Sequence, residues 1–297
     1  IAETILELRP ESAPQVKLLT TDLACNVSVR EALYSVECDL VVHFAALVDA
    51  NESKVDARRY YKNNFEVTET LLDFCEKKDA SLIFTSTSGV YGEYSGTPSK
   101  ESDLLNPLTP YAQQKLDSER SIVSRVRGGR LKNSLIFRLF NVAGIFQRDG
   151  FKASPSVESN LFSAISSSLS TREPFQICGV DYRTPDGTCI RDFIYIEQLV
   201  KFLVCCAQNI GNLPFAGIFN LGSGVGTSIL TLCSEIRNQN PDFCWEYGDR
   251  RHGEIITSVS DISKLRFLAD EMNANLAFDS NISSICSSLI RCNIEKI

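Results

Sequence analysis

Histidine is nearly absent from this chain: only His43 and His252 stand among its 297 residues. Two imidazoles exclude a histidine-built zinc cage and leave little room for a Ser–His–Asp machine. The eleven cysteines are scattered, form no Cys-x-x-Cys pair, and include the adjacent Cys205 and Cys206. That pattern suits neither a metal site nor a disulfide framework, so reduced, mostly buried thiols in the cytoplasm are expected. No apolar run approaches the ~18 residues that span a bilayer. The opening Ile-Ala-Glu-Thr-Ile-Leu-Glu also lacks the basic and apolar regions of a secretory signal. Basic charge is in deficit, with 30 Lys and Arg against 37 Asp and Glu for a net charge of −7, which disfavours nucleic acid as a partner. An anionic small substrate would have to be held by local arginines against the overall field. Glycine is missing from the first part of the chain, where Gly89 is the first of any kind. A glycine-rich phosphate turn is thereby excluded from the stretch before it.

What is present is an ordinary globular composition, 43% hydrophobic, long enough for about two domains or one large α/β domain with an appended lobe. Apolar runs suited to strands buried on both faces occur at Asp39–Ala46, Ser81–Ser86 and Ser134–Phe140, with a shorter one at Val16–Thr20. Helix-like segments alternate with them: Val29–Tyr34, Tyr61–Lys77 with Leu71, Leu72 and Cys75 on one stripe, and Tyr111–Val126 opened by Pro110. Alternation of this kind predicts a doubly wound parallel sheet of Rossmann type over residues 1–150. Residues 151–297 read as a smaller lobe interleaved with the last sheet strands. In that half, 153–171 reads as serine-rich and irregular, Asp181–Arg191 as turn-rich, and Ile218–Leu221 as a brief strand. Amphipathic helices are expected after Thr227–Ser228 and around Ile282–Ile290.

Within Thr-Pro-Tyr-Ala-Gln-Gln-Lys, Tyr111 and Lys115 are four residues apart. That spacing places a phenol and an ammonium on one helix face. The cation would favour the phenolate, lowering a pKa that starts near ~10 and making Tyr111 a base for an alcohol proton. Thr87, at the end of its apolar run, stands where a Rossmann-type sheet presents side chains to a ligand, and would hold the same substrate oxygen.

Several stretches together resemble the extended short-chain dehydrogenase/reductases, and within them the UDP-glucose 4-epimerases. They are Val-Val-His-Phe-Ala-Ala (41–46), Tyr-Tyr-Lys-Asn-Asn (60–64), Ile-Phe-Thr-Ser-Thr-Ser-Gly-Val-Tyr-Gly (83–92), Tyr-Ala-Gln-Gln-Lys (111–115) and Phe-Arg-Leu-Phe-Asn-Val-Ala-Gly (137–144). Asp-Tyr-Arg-Thr-Pro-Asp-Gly-Thr-Cys-Ile-Arg-Asp-Phe-Ile (181–194), Phe-Asn-Leu-Gly-Ser-Gly (219–224) and Arg-His-Gly-Glu (251–254) carry it through the second half. The resemblance implies NAD-dependent inversion at C4 of a UDP-hexose through a transient 4-keto sugar. Tyr111 would take the 4-hydroxyl proton, Thr87 would orient that oxygen, and Lys115 would tune Tyr111 and hydrogen-bond the nicotinamide ribose. The resemblance gives Asp22, Phe44, Ala45 and Asn64 to the cofactor, and Asn141, Asn160, Arg191, Arg251 and Ser258 to the UDP-sugar. The two arginines would clamp the diphosphate, since guanidinium forks match phosphate oxygens. A small residue at Ser258 implies a pocket open to N-acetylated sugars. A homodimer through the helices beginning near Tyr61 and Tyr111 is implied as well.

The chain departs from the family where the glycine turn, the first strand and an initiator Met would stand. A shortened product of a longer epimerase is therefore expected, with poor NAD binding and an open sheet edge beside Asp39–Ala46. Other readings are a non-catalytic relative binding a sugar nucleotide or serving as a partner subunit, and a plain dehydrogenase. A dehydratase is disfavoured, because Ser88 and Gly89 stand where an acid–base pair is required.

Overall fold

Runs of β-branched and aromatic residues without alternation have no solvent-facing side, so they must be covered on both faces. The computed structural model describes residues 19–93, 98–145, 147–148, 151–152, 161–213, 216–251, 253–274, 278 and 281–294. In chain order it contains α1 (Asn26–Leu33), β1 (Leu40–His43), α2 (Ala50–Val55), α3 (Ala57–Tyr60), a π-helical segment Tyr61–Glu66, α4 (Val67–Lys78), β2 (Ser81–Thr87), a 3-10 turn Ser88–Tyr91 and α5 (Pro110–Arg127). There follow β3 (Ser134–Leu139), β4 (Asn141–Ala143), β5 (Gln147–Arg148), β6 (Phe151–Lys152), α6 (Leu161–Thr171), β7 (Phe175–Cys178), β8 (Ile190–Tyr195) and α7 (Ile196–Asn209). The last elements are β9 (Gly217–Leu221), β10 (Gly226–Ser228), α8 (Ile229–Gln239), β11 (Trp245–Gly248), β12 (Thr257–Ser258), α9 (Ser263–Glu271) and α10 (Ile282–Ile294).

The central sheet is parallel, in the order β1-β2-β3-β9. Pleating sends alternate residues to opposite faces. Leu82, Phe84 and Ile136 meet Leu72 and Cys75 of α4 and Ile122 of α5 on one face. Ile83, Leu135 and Phe137 meet Phe202 of α7 and Leu265 and Leu268 of α9 on the other. The result is the doubly wound α/β architecture. Residues 16–18 of the expected Val16–Thr20 strand lie outside the described residues, and Leu19 and Thr20 are not in a strand. Among the described residues β1 pairs only with β2, leaving Val42 partly exposed.

The second half builds its own core from α6, α8 and α10 against β7 and β8, with Ile165, Ile177, Phe193, Leu232, Ile285 and Leu289 buried together. The serine-rich segment differs from expectation. Residues 153–160 lie outside the described residues, but Leu161–Thr171 is a helix, not irregular chain. The Ser170 hydroxyl donates to the Ser166 carbonyl at 2.9 Å, so the helix itself absorbs a polar side chain, while Ile165 and Leu169 bury the inner stripe. The turn-rich reading of 181–191 also runs two residues too far, because Ile190 and Arg191 begin β8.

Two buried polar clusters tie the halves together. Asp192, fully buried, accepts from Ser223 N at 2.7 Å, Ser223 Oγ at 2.6 Å, Gly224 N at 3.0 Å, Ser260 N at 3.0 Å and also Ser260 Oγ. A Cβ on Gly222 would come within 2.5 Å of Asp192 Oδ2 and 2.6 Å of Ser260 Oγ, which explains a glycine at that place. In the other cluster, Arg138 donates to Glu119 through Nε at 3.1 Å and Nη2 at 2.7 Å, and to Tyr91 Oη at 3.0 Å. Tyr91 in turn donates to Asn220 Oδ1 on β9.

Candidate active site

The carboxyl ends of parallel strands form the ligand edge of an open α/β sheet. Strand register places the site residues along that edge. Thr87 ends β2 opposite Leu139 of β3, two residues before Asn141, and Leu139 lies opposite Leu221 of β9. The loop after Leu221 is held by Asp192, the neighbour of Arg191. Asn141 then pairs with Phe193 in the β4–β8 ladder, and Ser258 pairs with Arg191 in the β12–β8 ladder. Two strand ladders, joined along the chain by the short step from Leu139 to Asn141, thus link Thr87 to Arg191 and Ser258.

Thr109 caps α5 by accepting from Ala112 N at 3.2 Å, with Pro110 at the first helical position. This start fixes Tyr111 at the mouth of the helix, where its backbone N donates to Ser53 Oγ at 3.3 Å. Thr87 lies close enough to the Tyr111 phenol to favour its ionised form, and Thr87 Oγ1 accepts from Gly89 N at 3.1 Å. Lys115, one turn on, is 4% exposed, donates from Nζ to the Thr85 carbonyl at 2.8 Å and lies 4.7 Å from the centre of the Phe84 ring.

The electrostatics differ from the sequence expectation. Burial pushes the Tyr111 phenol up to about 12, and the nearby Thr87 hydroxyl only partly offsets this. The ammonium of Lys115 is directed at a carbonyl beneath it instead of lowering the phenol. Lys115 itself is pulled down to about 8 by burial, against the raising influence of Glu119. At neutral pH this site therefore holds a protonated phenol and a charged amine.

Asn64, 3% exposed within the π-helical segment, accepts from Leu47 N at 2.8 Å and donates to the Leu47 carbonyl at 3.0 Å. It thereby clamps the loop after β1, on which Phe44 and Ala45 are exposed. Asn64 Nδ2 also donates to Gln114 Oε1 at 3.5 Å, so both of its donors are engaged and it is Lys115 that keeps donors for a ligand such as the nicotinamide end of a dinucleotide. An ammonium has three N–H donors, and the Thr85 carbonyl takes one. Among the described residues no strand–glycine–helix turn precedes β1 to receive a pyrophosphate. Asp22 is exposed and closes its own turn, accepting from Ala24 N at 2.9 Å.

In the second half, Arg191 Nη1 donates to the Ile190 carbonyl at 3.0 Å and the Ile256 carbonyl at 3.3 Å, and Nη2 pairs with Glu254. Arg251 is exposed at the start of the same turn. Asn160 lies outside the described residues. Among the described residues no His, Cys, Asp and Glu cluster could hold a metal ion, and no helix is long and apolar enough to cross a membrane.

Sequence reasoning passed over His43. Its ring is buried at the end of β1. Thr68 Oγ1 gives its own hydrogen to the Asn64 carbonyl at 2.6 Å, so His43 Nε2 is the donor in its 3.0 Å bond to Thr68. Burial, and next the charge of Lys115, push the imidazole down to about 3. The folded pKa lies below the unfolded value of ~6.5, so this contribution to stability is full above ~6.5 and is lost as pH falls toward about 3. His43 is expected to show no NMR titration between pH 5 and 7.5, and a midpoint near 6.5 would contradict the burial argument. The Val-Val-His-Phe run (41–44) is visible in the sequence, but not the burial that keeps the ring neutral.

A family model described as the NAD dependent epimerase/dehydratase family matches residues 4–222. A UDP-glucose 4-epimerase from Rhizobium leguminosarum bv. trifolii is 32% identical over 249 residues, covering 82% of this chain and 76% of the relative. The crystal structure of a UDP-glucose 4-epimerase from Brucella ovis in complex with NAD superimposes with a TM-score of 0.82 at 26% identity, over 93% of this chain and 84% of that one. A UDP-Glc/GlcNAc 4-epimerase from Campylobacter jejuni superimposes with a TM-score of 0.74 at 28% identity, over 93% and 83% of the two chains.

Proposed function

The chain belongs to the NAD dependent epimerase/dehydratase family, and we propose that it inverts C4 of a UDP-hexose, interconverting UDP-glucose and UDP-galactose. The observation that carries this reading is Tyr111 at the start of α5, close to Thr87 at the end of β2, with buried Lys115 one helical turn on. NAD, held by Phe44, Ala45, Asn64, Tyr111 and Lys115, supplies a two-electron acceptor that returns what it takes. In its phenolate form, the minor one at neutral pH for a phenol pushed up to about 12, Tyr111 removes the 4-hydroxyl proton as the 4-keto sugar forms, and gives it back after the sugar has turned. A phenol pushed up to about 12 is well suited to the second of these acts. Thr87 holds the 4-oxygen against Tyr111. Asp22 meets the adenine end, and Asn141, Asn160, Arg191 and Arg251 hold the UDP portion. The reading includes a homodimer, for which sedimentation at twice the chain mass would be the support.

The test is to supply the purified protein with NAD and UDP-galactose. UDP-glucose is expected without net NADH, whereas stoichiometric NADH would mark a plain dehydrogenase.

The sugar range follows from Ser258, whose small side chain lies in register with Arg191. Turnover of UDP-N-acetylglucosamine is expected. Ser258→Tyr should cut that turnover roughly tenfold or more and spare UDP-glucose, since steric exclusion acts only on the bulkier substrate. No turnover of the N-acetylated sugar by the parent protein would restrict the reading to plain hexoses.

A further inference from the structure

A helix that begins on proline leaves few backbone donors open in its first turn. In α5, Pro110 has no N–H, Ala112 N donates to Thr109 Oγ1 at 3.2 Å, and Gln113 N donates to the Thr109 carbonyl at 2.9 Å. The remaining N–H between Pro110 and Gln113 belongs to Tyr111, and it is taken by a side chain from another element, Ser53 Oγ of α2, at 3.3 Å. Ser53 is fully buried, and its own hydroxyl hydrogen goes to the Ala50 carbonyl at 2.7 Å. Its oxygen is thus left as an acceptor for Tyr111. α2 is itself well rooted: Asp49 Oδ1 accepts from Asn51 N at 2.8 Å and Glu52 N at 3.0 Å, and the Asp49 carbonyl accepts from Ser53 N at 3.0 Å. That helix follows directly on the loop after β1, which Asn64 clamps at Leu47.

We propose that Ser53 is a positioning residue, which holds the Tyr111 backbone in a fixed place against the loop assigned to the cofactor. This inference rests on the assignment of proton transfer to Tyr111. Tyr111 stands at the second position of its helix, where chain ends fray. Its phenol oxygen must nevertheless come within hydrogen-bond reach of the sugar. The Ser53 bond acts on the backbone, so it limits where that oxygen can go without itself touching substrate or cofactor. Loss of the bond strands the Tyr111 N–H and frees the first turn to open.

The experiment compares the full chain with Ser53→Ala, Ser53→Cys, Tyr111→Phe and the double variant of Ser53→Ala with Tyr111→Phe. Two quantities are read: turnover of UDP-galactose with NAD, and hydrogen exchange of the Tyr111 amide in protein isotope-labelled at tyrosine, without cofactor. Ser53→Ala should lower kcat roughly tenfold, short of the ~10²-fold that a misplacement of about 1 Å can cost. KM should stay within about twofold, since ground-state binding is untouched, and the Tyr111 amide should exchange roughly tenfold faster. Ser53→Cys, close in size but a weaker acceptor, should fall between the two, and it carries both readouts alone if Ser53→Ala does not fold. In the Tyr111→Phe background Ser53→Ala should cost nothing further, because no phenol oxygen is left to place. A loss of kcat that persists there overturns the proposal, as does a higher KM with kcat unchanged. Unchanged amide exchange in Ser53→Ala overturns it whatever the turnover. If Tyr111→Phe turns over at the parent rate, the proposed function falls and the proposal with it. A loss in Tyr111→Phe with none in Ser53→Ala retires only the positioning role.

Discussion

Replacing Tyr111 with Phe is expected to lower epimerase turnover by roughly 10²- to 10⁴-fold, the usual worth of a positioned proton-transfer group. The change removes one oxygen and keeps the ring, so folding and UDP affinity should hold. KM for the sugar nucleotide should therefore stay within a few-fold while kcat falls. The pH profile supplies an independent readout. Tyr111 is pushed up to about 12, so the proton-abstracting direction gains rate as pH rises. Lys115, pulled down to about 8, loses its charge above that value and opposes the gain. The two influences predict a parent optimum on the alkaline side of neutrality and a flattened rising limb in Tyr111→Phe. Sugar interconversion that continues at the parent rate in this variant would end the proposed mechanism.

The second large effect concerns stability. Glu119→Ala is expected to destabilise the fold by about 3–5 kcal/mol, because it leaves the Arg138 guanidinium buried without its counter-charge. Both side chains are 2% exposed, and the pair bolts α5 to β3 beneath the proposed catalytic face. Denaturant melts of Glu119→Ala measure the loss directly. The double variant Glu119→Leu with Arg138→Met should recover much of it, since an apolar pair of similar volume restores packing without a stranded charge. A loss below about 1 kcal/mol in the single variant would show that solvent reaches Arg138. Removing Glu119 should also move the descending limb of the activity profile to lower pH, because that carboxylate raises the Lys115 ammonium.

The parts of this site that could be read from the sequence are those fixed by local chain geometry. Pro110 and Thr109 open α5, so the four-residue spacing of Tyr111 and Lys115 had to place both on one face, and Thr87 had to end its strand. The direction of the Lys115 side chain was not legible. It depends on the Thr85 carbonyl, which reaches it only after β2 and α5 have packed. Asp192 was visible inside a motif, but its role as a buried acceptor for two loops arises from segments 31 and 68 residues away in the chain. The serines of α6 misled for a local reason: hydroxyls favour turns in isolation, and only Ile165 and Leu169, covered by α10 and β7, decide for helix.

The pairing of Phe137 with Phe219 joins a strand of the first half to one about eighty residues later. On the ribosome, Ile83, Leu135 and Phe137 emerge long before Phe202, Phe219 and Leu265, the side chains that cover them. The nascent chain must therefore carry an uncovered oily flank until β9 and α9 have been synthesised. A pause or premature stop in that interval would leave a sticky half-sheet, a natural client for chaperones that hold unfinished α/β proteins.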